Sequence, residues 1–260
     1  MKALMVRLYF QGKFTLGQRV KLEEFELHYW GSVKRAQGPV QLFNSEGQWA
    51  NGDWAGKDFL VTGVELAPQM LLPVSVALAI PDREVIDEVI PMLSEIGVQK
   101  LFLFPAKRSQ TSIAKLKGKA DRWSRLSIES ARQCLRGRPL EIDVITWEDL
   151  LRCSDSLKLC FSEVELENLQ GEAGTFTSNE ILAAQKELSS VLCVFGCEGG
   201  WTAEEFSVFK KSDFLFCHIK IPVMKVATAV STGLGGLIAT FFSDRMKWSS
   251  ESTLKVDPSA

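Results

Sequence analysis

The stretch VFGCEGGWTAEE, residues 194–205, constrains the fold more than any other part of the chain. Val191-Leu192-Cys193-Val194-Phe195 is short, uninterrupted and β-branched or aromatic, which reads as a strand buried on both faces. Thr202 followed three residues later by Glu205 forms a capping box, so a helix begins near Ala203. Between them lie Gly196, Gly199 and Gly200, which permit positive φ and let another molecule approach the main chain. The helix N-terminus behind them presents free N–H groups and a partial positive charge. Such a turn suits a bound ligand. A plain tight strand-to-helix turn accounts for the glycines as well.

From residue 74 onward the chain keeps this rhythm. VSVALAI (74–80), KLFLFP (100–105), EIDVIT (141–146), LKLCFSE (157–163) and FLFCHI (214–219) read as strands. DREVIDEVIPMLSEIG (82–97, bent at Pro91), DRWSRLSIESARQCL (121–135), WEDLLR (147–152) and a small-residue segment across 225–242 read as helices. The polar, Gly-containing stretch 164–178 reads as a loop. Alternation of this kind predicts an α/β fold, a parallel sheet covered by helices on both faces. The first 66 or so residues differ. ALMVRLYF, QRVKLEEFELHYW, GPVQLF and KDFLVTGVEL alternate between Gly- and Asn-rich turns and sustain no helical period. They predict a small β-barrel or sandwich. The expected division is therefore 1–68, 72–248 and a polar, disordered tail over 249–260.

Six cysteines form no CxxC pair and no zinc spacing with the only histidines, His28 and His218, so no metal is expected and the thiols read as buried and reduced. No stretch approaches about 18 uninterrupted apolar residues and no signal pattern opens the chain, which predicts a cytoplasmic protein with no membrane partner.

The net charge of −2 hides an asymmetry. Between Lys100 and Arg138 eleven Lys or Arg residues face only Asp121 and Glu129, a local excess of +9 that leaves −11 for the remainder. A basic field of this size over 39 residues and one helix points to a polyanion, with nucleic acid the expected partner. At about 100° per residue, Arg122, Arg125, Arg132 and Arg136 fall within about 80° of arc on the 121–135 helix, opposite Trp123, Ser130, Ala131, Cys134 and Leu135. The expectation is one face packed on the sheet and an exposed arginine stripe tracking phosphates. A merely solvated charged face is the alternative.

Three segments carry a family resemblance: SEIGVQKLFLFPAKRSQ, RWSRLSIESARQCLRGRPLEI and VLCVFGCEGGWTAEEF. In order and spacing they resemble the ELGV…P..SERS, RW..I..EA.EQ..R and GPEGG.s..E segments of the bacterial 16S ribosomal RNA (uracil-N3)-methyltransferase family. HYWGSVKRAQGPVQLFNSEG (28–47) is similar to that family's N-terminal segment, so the resemblance covers nearly the whole chain. It implies a SPOUT-class methyltransferase with a C-terminal trefoil knot, a PUA-like RNA-binding barrel in front, S-adenosyl-L-methionine as cofactor, 16S rRNA of the small subunit as partner, and a homodimer. Carried over by position, Gly196, Glu198, Gly199 and Gly200 form one cofactor loop, Ser162 and Glu163 of CFSE another, and His218, Ile219, Ile221, Val223 and Met224 a third. Arg35, Arg108 and Arg136 match basic positions expected to touch RNA, alongside Arg122, Arg125 and Arg132 of the stripe. Glu198, the only carboxylate in the glycine loop, is a candidate catalytic base or a fixer of the turn.

The chain also departs from that pattern. The family's last motif, roughly LG.RILRTETA, stands here as HIKIPVMKVATA (218–229), with Ile219 for Gly, Met224 for Arg and Val226 for Glu. Cys197 replaces the proline of GPEGG, and Met92 stands where a lysine is expected. These changes keep a second reading open, a relative that binds ribosomal RNA without transferring methyl groups. An unrelated α/β domain binding a phosphorylated small molecule at the Gly-Gly turn is a third.

Overall fold

A computed structural model describes residues 5–33, 38–68, 71–109, 111–163, 189–218 and 221–242. The expected loop 164–178 and tail 249–260 lie outside the described residues.

The first part of the chain forms a mixed five-stranded sheet. Its strands are β1 (Val6–Tyr9), β2 (Arg19–Val20), β3 (Val40–Phe43), β4 (Gln48–Ala55) and β5 (Asp58–Leu66). They lie in the order β1-β3-β4-β5-β2, with β1 parallel to β3 and the other neighbours antiparallel. Leu8, Val20, Leu42, Ala50, Phe59 and Val61 build its core. QRVKLEEFELHYW does not continue as a strand. After Val20 it turns into a short helix, α1 (Glu24–His28), in which Glu26 is buried and Phe25 exposed. The inverted pattern has a cause outside the segment: Glu26 meets an arginine from the second sheet's helices.

That second sheet comprises β6 (Val74–Ala79), β7 (Lys100–Phe104), β8 (Glu141–Val144), β9 (Leu157–Ser162), β10 (Val191–Phe195) and β11 (Leu215–His218). Every neighbouring pair is parallel, in the order β11-β9-β10-β6-β7-β8. Between the strands run α2 (Arg83–Ile96), α3 (Ile113–Leu116), α4 (Ala120–Gln133), α5 (Trp147–Leu151) and α6 (Ala203–Lys211), and α7 (Val226–Phe241) follows β11. Alternate strand residues feed two cores, as pleating requires. Val74, Val76, Leu78, Leu101, Leu103 and Cys193 pack with Ile86, Ile90, Trp123, Val230 and Leu234 of α2, α4 and α7. Ala77, Ala79, Cys160, Leu192 and Val194 pack with Leu150, Phe206 and Phe209 of α5 and α6. Helices thus cover both faces, as the alternation predicts.

The order of the strands positions the site. The chain leaves β6 toward β7 and β8, then crosses over to β9, and β10 inserts between β9 and β6. In open α/β sheets, the crevice beyond the carboxyl ends of strands at such a reversal is where ligands bind.

Candidate functional site

At the carboxyl end of β10 the chain turns through Gly196–Gly200. Gly200 N–H donates to Cys197 O at 2.9 Å, and Gly200 has φ +63°, the left-handed region that favours glycine. Thr202 then starts α6: its hydroxyl accepts Glu205 N–H at 3.2 Å, while the Glu205 carboxylate accepts Thr202 N–H at 2.8 Å. Trp201 pins the turn from behind, donating Nε1–H to Phe161 O at 2.9 Å and stacking on Phe104 at 6.2 Å.

The second wall comes from β9. Phe161 stacks on Phe195 with centroids 4.3 Å apart and planes 10° from parallel. Gly233 of α7 lies against both rings, since a Cβ there would sit 2.8 and 2.9 Å from them. Glu163 reaches the glycine loop, and a Cβ on Gly200 would fall 2.0 Å from its Oε1. The His218 Nδ1 lies 3.0 Å from Ser162 O, tying the end of β11 to the same edge.

These elements enclose a cavity of about 510 Å³, completed by Asp82 and Val85 at the start of α2 and by residues 221–226 and Ala229. Of the residues expected at a cofactor site, Ser162, Glu163, Gly196, Glu198, Gly200, Ile221, Val223 and Met224 line it. Gly199 sits outside the wall, where its carbonyl accepts from Arg108 at 2.6 Å. His218 stands behind Ser162, and Ile219 lies outside the described residues. Phe161, within the CFSE segment expected to hold the cofactor, lines it as well, whereas sequence reasoning missed Asp82, Phe195, Cys217, Lys225 and Ala229. The position of Phe195 and Cys217 near the ends of parallel strands was the available signal.

Three carboxylates line the cavity, Asp82, Glu163 and Glu198, against one lysine, Lys225. Glu198 Oε1 accepts Asp82 N–H at 3.0 Å and so fastens the glycine loop to the start of α2. Burial pushes the Cys217 thiol up to about 11 and raises that of Cys197, so both thiols stay protonated near neutrality and make poor nucleophiles. Among the described residues no His, Cys, Asp and Glu cluster could hold a metal ion, and no helix is long and apolar enough to cross a membrane.

The arginine stripe is only partly a stripe. Arg122 and Arg125 are exposed, the first paired with Asp87 at 2.8 Å and the second over the Phe25 ring at 5.8 Å. Arg132 and Arg136 are buried, contrary to expectation. Arg132 makes two bonds to the Glu26 carboxylate, at 2.6 and 2.8 Å, and lies 4.0 Å from the Tyr29 ring centroid. Arg136 donates to the carbonyls of Ser94, Gln99 and Arg138, and burial pulls its guanidinium down to about 10. The two are covered differently: Arg132 is closed over by α1 of the first part of the chain, and Arg136 is turned onto the end of α2 and the start of β7. Arg35 lies outside the described residues.

A family model described as an RNA methyltransferase domain matches residues 68–237, more than half of the chain. The chain belongs to the RNA methyltransferase domain family. Within this family it is 29% identical over 163 residues to a Bacillus subtilis protein named ribosomal RNA small subunit methyltransferase E, a match spanning 61% of this chain and 63% of that protein. A Synechocystis protein of the same name is 26% identical over 232 residues, covering 85% of this chain and 73% of the relative. The solved structure of a Neisseria gonorrhoeae ribosomal RNA small subunit methyltransferase E bound to S-adenosyl methionine shares the fold. Its TM-score is 0.70 at 19% identity, with 90% of this chain and 97% of that one covered. A Legionella pneumophila structure with bound SAM scores 0.73 at 22% identity, with 90% and 97% covered. The family expected from the sequence motifs is thus the family found, and the unrelated phosphate-binding domain is set aside.

Proposed function

We propose that this chain is an S-adenosylmethionine-dependent methyltransferase that acts on the N3 of a uracil in 16S rRNA of the small subunit. The observation that carries the reading is convergence: three separated segments expected at a cofactor site, 162–163, 196–200 and 221–224, line one cavity at the carboxyl ends of β9 and β10. The names of the relatives and the bound cofactor in two structures of the same fold support the choice of ligand.

The lining fits that cofactor. Gly200 leaves room that a Cβ would take from the Glu163 carboxylate, and a net negative lining suits a cation. Bound S-adenosylmethionine supplies an electrophilic methyl group on a sulfonium. The apolar ring pair Phe161–Phe195 offers a face for a flat heterocycle, and the backbone of Gly196–Gly200 offers hydrogen bonds that do not depend on side-chain identity. The N3 of uracil carries a proton, so a base must accept it as the nitrogen attacks. Glu198 spends one oxygen on the Asp82 amide and keeps the other for that proton, with Lys225 the cation at the lining that balances developing negative charge. Arg35, Arg108, Arg122 and Arg125 are the residues we assign to RNA. The reading includes a PUA-like barrel over 1–68, a knotted SPOUT domain over 72–248, a homodimer and a cytoplasmic location.

One observation favours the second reading, RNA binding without methyl transfer: Met224 and Val226 line the cavity where the family carries Arg and Glu. Lost charge-assisted hydrogen bonds are worth roughly 1.5–3 kcal/mol each, so each one lost weakens the cofactor by about tens to hundreds-fold without abolishing binding. Calorimetric titration with S-adenosylmethionine should therefore show weak, saturable binding, strengthened in a Met224→Arg/Val226→Glu variant, with slow methylation of isolated small subunits. No binding at millimolar cofactor in either protein, with RNA still bound, sinks the enzyme and leaves the RNA-binding relative.

A further inference from the structure

Glu205 does more than its capping box requires. Its side chain is buried, with the residue only 3% exposed, and no cation lies within ion-pairing distance of it among the described residues. One oxygen, Oε2, accepts Thr202 N–H and completes the cap. The other, Oε1, accepts the backbone N–H of Lys107 at 2.8 Å, a residue 98 positions away in the loop after β7. A helix cap alone leaves that second oxygen to water.

The same loop is held at three further points, the first an exposed ion pair between Lys107 Nζ and Glu204 at 2.8 Å. Arg108 donates to Gly199 O at 2.6 Å, and a Cβ on Gly199 would fall 2.8 Å from the Arg108 Cβ, so the two chains touch. Ser109 Oγ accepts Ala106 N–H at 3.1 Å and folds the loop on itself. A guanidinium has five donors, and the bond to Gly199 O uses one of them. Arg108 can therefore hold a phosphate while it still holds the glycine loop.

We propose that Glu205 is a positioning residue that fastens the 105–109 loop to the Gly196–Gly200 loop, so that RNA held by Arg108 and S-adenosylmethionine held by the glycine loop bind with positive coupling. The inference rests on the function proposed above. Whichever ligand binds first orders both loops, and the second then binds loops already ordered. Coupling of this kind is reciprocal: each ligand tightens the other by the same factor.

The experiment measures RNA affinity with and without saturating S-adenosylmethionine, and cofactor affinity with and without RNA, in the wild type, Glu205→Ala and Thr202→Ala. Thr202→Ala removes the acceptor for Glu205 N–H and weakens the cap, yet leaves the link to Lys107 in place. The wild type should show at least about fivefold coupling, Thr202→Ala nearly the same, and Glu205→Ala a factor within about twofold of one. Hydrogen exchange at the Lys107 amide should accelerate at least about tenfold in Glu205→Ala and little in Thr202→Ala. If the alanine variant does not fold, Glu205→Gln, which retains a single acceptor oxygen, is read by the same two measurements. Equal coupling in the wild type and Glu205→Ala, or equal loss in Thr202→Ala, overturns the inference. An absence of cofactor binding in the wild type overturns the proposed function and the coupling with it, whereas two bound ligands that ignore each other overturn the inference alone.

Discussion

Gly200 meets two demands that no other residue type satisfies together. Its φ of +63° costs a residue bearing a Cβ about 1–2 kcal/mol, and that Cβ would lie 2.0 Å from Glu163 Oε1. Gly200→Ala should therefore lower the unfolding free energy by about that amount and push Glu163 out of the cavity. Thermal denaturation should show the first effect, and calorimetry a loss of cofactor affinity of about tenfold or more. A full-affinity alanine variant would show that Glu163 has no part in binding. The glycine loop and its Glu205 cap were legible in the sequence because all their determinants are local. Glu163 against Gly200 was legible only as two separate motifs, because the contact joins the ends of β9 and β10, strands separated by a long stretch of chain.

At the scale of the element, α4 is where reading the sequence alone falls short. Its periodicity identifies the helix and the side that packs on the sheet, with Trp123, Ser130 and Ala131 buried as expected, whereas Leu135, expected on the same side, is exposed just past the helix end. Periodicity says nothing about what covers the other side. The five-stranded sheet does so at the C-terminal half. Arg7 lies 4.6 and 4.9 Å from the Phe43 and Trp49 ring centroids, and donates to Ala131 O in the last turn of α4 and to Arg136 O just beyond it. Beside it the Arg132–Glu26 pair joins α4 to α1, and burial pushes the Glu26 carboxyl up while Arg132 and the Tyr9 N–H pull it down. Removing one partner strands a buried charge, so Arg132→Ala should destabilise the protein by about 3–5 kcal/mol. The Glu26→Leu/Arg132→Met double variant should recover most of that loss, because it removes both charges. Urea denaturation checks both values, and a single variant as stable as the wild type would mean that the pair is open to water. Substituting the whole stripe would consequently report on folding as well as on RNA.

For the whole molecule, the outer face of α7 bears on assembly. Gly235 and Gly236 are exposed, and nothing lies within 4 Å of where their Cβ atoms would be. In a helix interior each glycine is about 0.5–1 kcal/mol worse than alanine, so an isolated chain gains nothing from them. Thr228, Ser231 and Thr232 extend the same exposed, small-residue face beside the cavity. A second copy packed closely on α7 accounts for small residues there, and two-fold symmetry would bring the two helices together. Light scattering at micromolar concentration should give a dimer, and Gly236→Leu should shift it toward monomer. A monomeric wild type would leave this face without an explanation in assembly.

By itself, the sequence determined the parts of this protein whose causes lie within a few turns of chain: the strand–helix alternation, the glycine loop with its capped helix, and the motifs that placed it in its family. Side-chain periodicity and capping are short-range effects, which is why the bounds of β6, β10 and α6 agree closely with expectation. Only the tertiary structure decided that β10 inserts between β9 and β6 and that Glu26, Arg132 and Arg136 are buried. The reason is physical. Whether a charged side chain ends in water or in a buried pair depends on the free energy of its partner, and that partner lies more than a hundred residues away along the chain.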